Sequence, residues 1–142
     1  MNSYIVAYRP DSTILTNNIF LTDQIVNAAK SIGKVLIQNS IFIKNNGSPE
    51  ELRIADSQLD NCLTYNYGAG NYNLSADAAA VNMSVNNMLY NTNPQFENIN
   101  LSTSNLFSID NNYKLATGSP AIAAGLNNED MGVFGNGFTF SN

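Results

Sequence analysis

Several residue types on which enzymes and metal sites depend are missing or nearly missing from this chain. Its 142 residues include no histidine, no tryptophan and one cysteine, Cys62. The lack of histidine excludes Ser-His-Asp and Cys-His catalysis, histidine metal sites and histidine-based pH sensing. A single cysteine excludes an intrachain disulfide and a cysteine zinc cluster, so we expect Cys62 to be a small buried residue.

Charge is also scarce. Charged residues make up 12% of the chain and the formal net charge is −5, which disfavours an electrostatic interface with nucleic acid or an anionic membrane. No stretch approaches the roughly 18 consecutive apolar residues of a membrane span. The start, MNSYIVAYRP, lacks the features of a signal peptide, so we expect a mature product or a piece of a longer protein.

Asparagine is the residue in excess, with 25 copies among the 142 residues. Asparagine is a poor former of helix and strand interiors, but it tolerates the left-handed conformation and caps turns. Apolar residues still make up 44% of the chain, enough for one domain with a packed core. The composition therefore predicts a folded chain that turns often and regularly.

A repeat of about 22 residues organises residues 1–92. Its four copies read TILTNNIFL, VLIQNSIFI, SQLDNCLTY and NMSVNNMLY, from Thr13, Val35, Ser57 and Asn82. An asparagine column holds Asn17, Asn39, Asn61 and Asn86, at spacings of 22, 22 and 25. Three apolar columns accompany it: Leu15, Ile37, Leu59 and Ser84; Ile19, Ile41, Leu63 and Met88; Leu21, Ile43, Tyr65 and Tyr90.

These columns alternate with a period of two, which predicts strands with one buried face. A repeat of this length predicts an all-β solenoid of about five or six coils, with neighbouring coils about 4.8 Å apart. We expect the stacked asparagines to form a ladder of amide hydrogen bonds. A rival reading is a leucine-rich repeat, whose spacing is partly matched from Ile32 to Phe42, although leucine does not dominate. Short helical turns are expected in the linking segments, over Asp23–Gly33 and Asp77–Val81.

The C-terminal residues 93–142 carry a different set of motifs. They read NPQF from Asn93, then YKLATGSPAIAAG ending at Gly125, then DMGVFG from Asp130. This run, with the NNIF-type units before it, resembles the closing coils of right-handed parallel β-helix proteins of the bacterial pectate-lyase-like superfamily. The resemblance covers essentially the whole chain and implies one β-helix domain, with repeat coils over 1–92 and closing coils over 93–142.

The resemblance also implies roles for the closing residues. Ile122, Val133 and Phe134 would cover the apolar end of the stack, and Asp130 would accept backbone N–H bonds across the turn to Gly132. Gly125, Gly132 and Gly135 would adopt backbone geometry closed to other residues. Ala123 stands where the family often has Asp or Asn, so any side-chain bond made there is missing.

Enzymes of this fold use acidic clusters, often with calcium, and a basic residue. The acids of this chain are scattered, Arg53 is more simply a solvated charge, and no phosphate-loop or hydrolase motif is present. We therefore expect no catalytic residue, no metal ligand and no cofactor, with calcium conceivable but unsupported.

Binding has better support than catalysis. Tyr67 and Tyr72 lie in a predicted loop where aromatic faces could stack on sugars, and Asp60 points outward by alternation. The sequence thus favours a non-catalytic scaffold of a secreted or cell-surface bacterial protein that contacts a polysaccharide. The alternatives are a fragment of a polysaccharide lyase or glycoside hydrolase, and a self-assembling fibre subunit with open strand edges.

Overall fold

The computed structural model describes residues 13–22, 35–44, 52, 54, 56–67, 82–101, 108 and 111–133. Regular structure in these ranges is almost entirely β-strand. The strands are β1 Thr13–Thr16, β2 Ile19–Thr22, β3 Val35–Gln38, β4 Ile41–Lys44, β5 Ser57–Asp60, β6 Leu63–Tyr65 and β7 Met83–Asn86. Within those ranges, helical structure is limited to a 3-10 turn at Leu126–Asn128.

The strands form two parallel sheets, ordered β1-β3-β5-β7 and β2-β4-β6. Each of the first three repeat units supplies one strand to each sheet. Ile37 pairs with Leu15 on one side and Leu59 on the other, and Ile41 pairs with its counterparts in the second sheet in the same way. The predicted alignment of residues 22 positions apart is therefore confirmed for these units, and the described residues form parallel sheets with almost no helix, as in an all-β protein.

An asparagine in the left-handed conformation separates the two strands of each unit. The backbone φ angle is 57° at Asn17, 49° at Asn39 and 50° at Asn61. This conformation costs most L-residues about 1–2 kcal/mol, whereas asparagine visits it readily. The repeated turn is therefore the physical reason why asparagine recurs at this position.

The fourth unit is offset by 26 residues, because Asp60 pairs with Asn86 across the first sheet. The left-handed residue of this unit is Asn87, at φ 49°. The prediction that placed Asn86 in the turn column was wrong by one residue, and Val85 rather than Ser84 continues the first apolar column. Two consecutive asparagines fit the pattern equally well, so only the strand register separates them.

The apolar side chains divide between two clusters. Ile37 and Phe42 belong to the first cluster, with Leu59, whereas Ile41 and Ile43 belong to the second. The prediction of one buried face per strand is confirmed for β3, where buried and half-buried residues alternate, but it is wrong for β4, where all four residues are buried. Because the left-handed residue bends the chain between the strands, odd-numbered side chains before and after it point to different clusters.

The C-terminal part of the described chain covers the second cluster. Phe96, Leu115, Ala121 and Met131 pack with the side chains of β4 and β6. The described parts of residues 93–133 that contribute to this cluster therefore pack against the three-stranded sheet. The expectation that Ile122 covers an apolar end was wrong, since this side chain is 40% exposed; Phe134 and Gly135 lie outside the described residues.

The short helices expected over Asp23–Gly33 and Asp77–Val81 also lie outside the described residues.

Candidate ligand-binding surfaces

One face of the four-stranded sheet points away from the first cluster and carries two rows of side chains. We call it the outer face. The polar row contains Thr16, Gln38, Asp60 and Asn86, and the mixed row contains Ile14, Leu36, Gln58 and Ser84. Leu36, Gln38 and Asp60 are half-buried, and the other five side chains are exposed.

The parallel register fixes the spacing of these side chains. Neighbouring strands are about 4.8 Å apart, and alternate residues along a strand are about 6.7 Å apart. The polar row therefore presents a hydroxyl, an amide, a carboxylate and a second amide side by side. Amides both donate and accept hydrogen bonds, as sugar hydroxyls do. The outer face can thus bind a polar, uncharged ligand at several points.

Asp60, a predicted ligand residue, is held by its neighbour in the mixed row. Its Oδ2 accepts a hydrogen bond of 2.8 Å from Gln58 Nε2. Its Oδ1 is enclosed and has no hydrogen-bond partner among the described residues. The carboxylate is therefore oriented, with only part of it facing solvent.

The predicted tyrosine ligands have a different outcome. Tyr67 is fully buried in the first cluster, so its expected place on a loop surface was wrong. The preceding residue, Asn66, has φ 62°, and this second left-handed turn accompanies the inward position of Tyr67. Tyr72 lies outside the described residues.

The prediction for Tyr90 was wrong in the opposite direction. The repeat predicted a buried position for it, but its side chain is 46% exposed. The bridge between Leu63 and Leu89 places Tyr90 level with Thr64 rather than with Tyr65. The one-residue shift of the fourth unit therefore explains why its exposure was missed.

The asparagine column contacts residues 124–132, which we call the closing segment. Asn39 Oδ1 accepts a hydrogen bond of 2.7 Å from the backbone N–H of Leu126, and its Nδ2 donates to Glu129 Oε2 at 3.0 Å. Asn61 Nδ2 donates to the carbonyl of Ala124 at 3.4 Å.

The predicted ladder of amide bonds was wrong for the described part of the chain, where no amide-to-amide bond joins Asn17, Asn39 and Asn61. The units are linked instead through the backbone, for example from Asn39 N–H to the carbonyl of Asp60 at 3.2 Å. A side-chain link between units occurs at a different corner, where Asn82 Nδ2 donates to Asp56 Oδ1 at 2.7 Å.

A second surface feature is a depression of about 500 Å³ beside residues 93–101. Its polar lining includes Asn93, Gln95, Glu97 and Asn98, whose residues are all exposed. Its apolar lining consists of Phe96, Ile99 and Leu101, which are buried. The depression is therefore open and has a rim of exposed polar side chains, and its apolar residues lie beneath the surface in the second cluster.

Residues 113–116 contact two residues that line this depression, Phe96 and Glu97. Phe96 forms an antiparallel bridge with Leu115, and its ring meets the Tyr113 ring edge-on at 5.3 Å. Glu97 Oε1 pairs with Lys114 Nζ at 2.8 Å. The backbone N–H of Glu97 also donates to the carbonyl of Lys114 at 2.9 Å. The rim is therefore tied to a neighbouring segment by both backbone and side chain.

Cys62 is free and buried, as predicted. Burial raises the pKa of its thiol from 9.0 to about 12, and the nearby charge of Asp60 acts in the same direction. A thiol of this kind is neutral at physiological pH and is a poor nucleophile.

Metal-binding groups are also lacking among the described residues, where no three acidic, cysteine or histidine side chains form a group that could hold an ion. In the same part of the chain, no helix has the length and apolar character needed to cross a membrane. No protein-family model matches the chain, and neither a curated protein nor a solved structure matches it.

Proposed function

We propose that this chain is a non-catalytic segment of a right-handed parallel β-helix in a secreted or cell-surface bacterial protein. It would serve as a stiff scaffold that contacts a neutral polysaccharide through the outer face. The β-helix proposal is supported by the in-register pairing of the repeat units and by the left-handed asparagine between the strands of each unit. Both features are what a solenoid needs in order to repeat a bend in every coil.

The observation that carries the binding proposal is the polar row of the outer face. Four strands place Thr16, Gln38, Asp60 and Asn86 in one line. A chain of sugar rings can form hydrogen bonds to several members of such a row at once. Several weak contacts then add up to a measurable affinity. A rigid sheet also loses little conformational entropy when it binds.

The charge on the outer face favours a neutral glycan over a polyuronate. The two rows contain one carboxylate, Asp60, and no lysine or arginine. A polyuronate would bring many negative charges to a surface with no cation, in a chain whose formal net charge is −5. Repulsion would therefore weaken that interaction, most strongly at low salt.

The binding test uses affinity electrophoresis of the wild-type chain in gels that contain a soluble neutral glucan, a neutral mannan or polygalacturonate. We expect retardation by a neutral polymer and none by polygalacturonate. Asn86→Ala should reduce the retardation, because Asn86 is exposed and lies at the end of the polar row. Asn127→Gly is the matched control, because it removes another exposed amide at a residue whose φ of 61° suits glycine.

Two results would overturn this proposal. Equal retardation of wild type and Asn86→Ala would show that the outer face does not take part in polymer binding. Release of reducing ends or unsaturated sugars from any of these polymers would show turnover, and would favour a fragment of a polysaccharide lyase or hydrolase.

A further inference from the structure

We infer that copies of this chain associate end to end, with the first repeat unit of one copy stacked on the fourth unit of the next. The edge strands of the four-stranded sheet are β1 and β7, and among the described residues each pairs with a single strand. Within that part of the chain, each presents a row of backbone N–H and C=O groups that a further parallel strand can extend. The inference rests on the strand register and not on the proposed glycan contact.

The first cluster is incompletely covered at both of these ends. Among the described residues, its half-buried apolar side chains come from the first and fourth units: Leu15, Phe20, Val85 and Met88. Ile37 and Leu59 lie between Leu15 and Val85 in the same column, and both are fully buried. Full burial of an outer unit needs another unit against it, and a second copy supplies one with the same arrangement of side chains.

Neither edge strand carries the features that normally protect the edge of a sheet. The sequences are TILT for β1 and MSVN for β7, without a charged residue or a proline. Charged side chains and prolines are common means by which proteins keep such edges from pairing with another chain. The charged residues of the described strands lie instead in the interior strands, with Lys44 in β4 and Asp60 in β5. Both edges are therefore open to pairing.

The register of the sheet defines how the two ends meet. Continuation of the order β5-β7 into β1 of the next copy places Val85 beside Leu15 and Ser84 beside Ile14. The apolar pair then closes the first cluster, and the polar row of the outer face continues from one copy into the next. Because the two contacting ends are different surfaces, each copy keeps one free end. The assembly therefore grows as an open filament and does not stop at a dimer.

An exposed aromatic ring in the fourth unit has a matching ring in the first. Tyr90 is 46% exposed and lies level with Thr64, the residue that pairs with Phe42 in the second sheet. Phe42 stacks on the half-buried Phe20 at 4.7 Å. End-to-end contact brings Tyr90 to the column of Phe20 in the next copy, where the two rings can stack in the same way.

The test is sedimentation velocity of the full chain over a range of concentrations. We expect a sedimentation coefficient that rises with concentration and has no plateau at the dimer. Two double variants test the register. Both carry Ile14→Lys, and the second substitution is Ser84→Lys in one and Ser84→Glu in the other. Because the contact pairs these two positions, the variant with Ser84→Lys should associate about tenfold more weakly at low salt.

This comparison controls for effects within one chain and for overall charge. Positions 14 and 84 are three strands apart in a single copy, about 14 Å, so their charges interact weakly there. Ser84→Lys also adds positive charge to a chain of formal net charge −5, so general repulsion between copies predicts the opposite order. Circular dichroism of both variants checks that the fold is kept.

The aromatic contact has its own variant. Tyr90→Ala should weaken association about fivefold, because it removes the ring that meets Phe20. Leu126→Ala is the matched control, since Leu126 is 43% exposed but lies in the closing segment, outside the repeat units. It should leave association unchanged.

Three results would overturn the inference. A sedimentation coefficient that is independent of concentration would mean that another part of the chain or a different partner covers the two ends. A plateau at a dimer would contradict the head-to-tail arrangement. Equal association of the variants with Ser84→Lys and Ser84→Glu, or equal losses for Tyr90→Ala and Leu126→Ala, would contradict the register.

Discussion

Asn39 and Glu129 lie far apart in sequence and are joined by a hydrogen bond of 3.0 Å from the asparagine Nδ2 to the carboxylate. Asn39 also accepts the backbone N–H of Leu126 at its Oδ1 and that of Gly132 at its carbonyl, both at 2.7 Å. One turn residue therefore holds three points of the closing segment. The asparagine of the second unit both bends the chain and anchors the C-terminal part.

Two substitutions can separate the two roles of Asn39, the turn and the anchoring of the closing segment. Asn39→Gly keeps the left-handed turn and removes the two side-chain bonds, so it should lower the free energy of unfolding by about 2 kcal/mol. Asn39→Ala should cost about 1 kcal/mol more, because alanine resists the observed φ of 49°. Urea unfolding followed by circular dichroism measures both values.

The control for these variants is Asn87→Gly. Asn87 has the same φ of 49° but is exposed, so its loss should change stability by less than about 0.5 kcal/mol. An equal cost at Asn39 and Asn87 would mean that the bonds to the closing segment add nothing.

Gly125 makes a close approach that a larger residue would block. Its φ is −78°, which any residue can adopt, so the expectation of special backbone geometry was wrong at this position. A Cβ atom at this position would lie 2.8 Å from the Glu129 carbonyl oxygen and 2.9 Å from Asn39 Cγ. Gly125→Ala should therefore lower the free energy of unfolding by about 2–3 kcal/mol through forced displacement of the closing segment. Thermal unfolding checks this.

The control for Gly125 is a glycine with open space around it. Gly118 has φ 86°, and a Cβ atom added there would meet no other atom within 4 Å. Gly118→Ala should therefore cost only the conformational strain, about 1 kcal/mol. A smaller loss for Gly125→Ala than for Gly118→Ala would contradict the steric argument.

The repeat units could be predicted because each one obeys local rules. Alternating apolar residues predict strands, and an asparagine between two such runs predicts a turn. The left-handed bend at Asn39 also explains why the prediction of one buried face was incomplete, because it directs Ile37 and Ile41 to different clusters. A pattern with a period of two gives the spacing of side chains, but it does not give the angle between successive strands.

Tertiary contacts and the exposure of single side chains were harder to predict, for a physical reason. Asn39 and Leu126 are brought together only by tertiary packing, so no local pattern indicates their contact. Tyr67 follows a turn whose direction decides between core and surface, and composition favoured the surface. Asp60 was the easier residue, because strand alternation alone placed it on the outer face.

Phe20 and Phe42 form a stacked pair between neighbouring units, with ring centroids 4.7 Å apart and ring planes at 14°. Phe42→Ala should cost about 3–5 kcal/mol, because its ring is fully buried. Phe20→Ala should cost less, because Phe20 is half-buried. A double-mutant cycle in urea should give a coupling of about 0.5–1.5 kcal/mol for the stacked rings. Additive losses would contradict a direct interaction.

Cys62 gives a prediction about pH, because burial raises the pKa of its thiol from 9.0 to about 12. The folded protein keeps this proton at pH values where the unfolded chain releases it. The stability linked to Cys62 is therefore complete below about pH 9 and is lost as pH rises toward 12, at about 1.4 kcal/mol per pH unit.

The measurement compares urea unfolding of wild type with that of Cys62→Ala at pH 7 and pH 10, since the other titrating groups are common to both proteins. The wild-type free energy of unfolding should fall relative to the variant by about 1.4 kcal/mol between these two pH values. A maleimide reagent at pH 8 should label Cys62 only after urea is added, because the native thiol is buried and protonated. Rapid labelling of the native protein, or a wild-type advantage that grows with pH, would show that the thiol is accessible and ionised in the folded state.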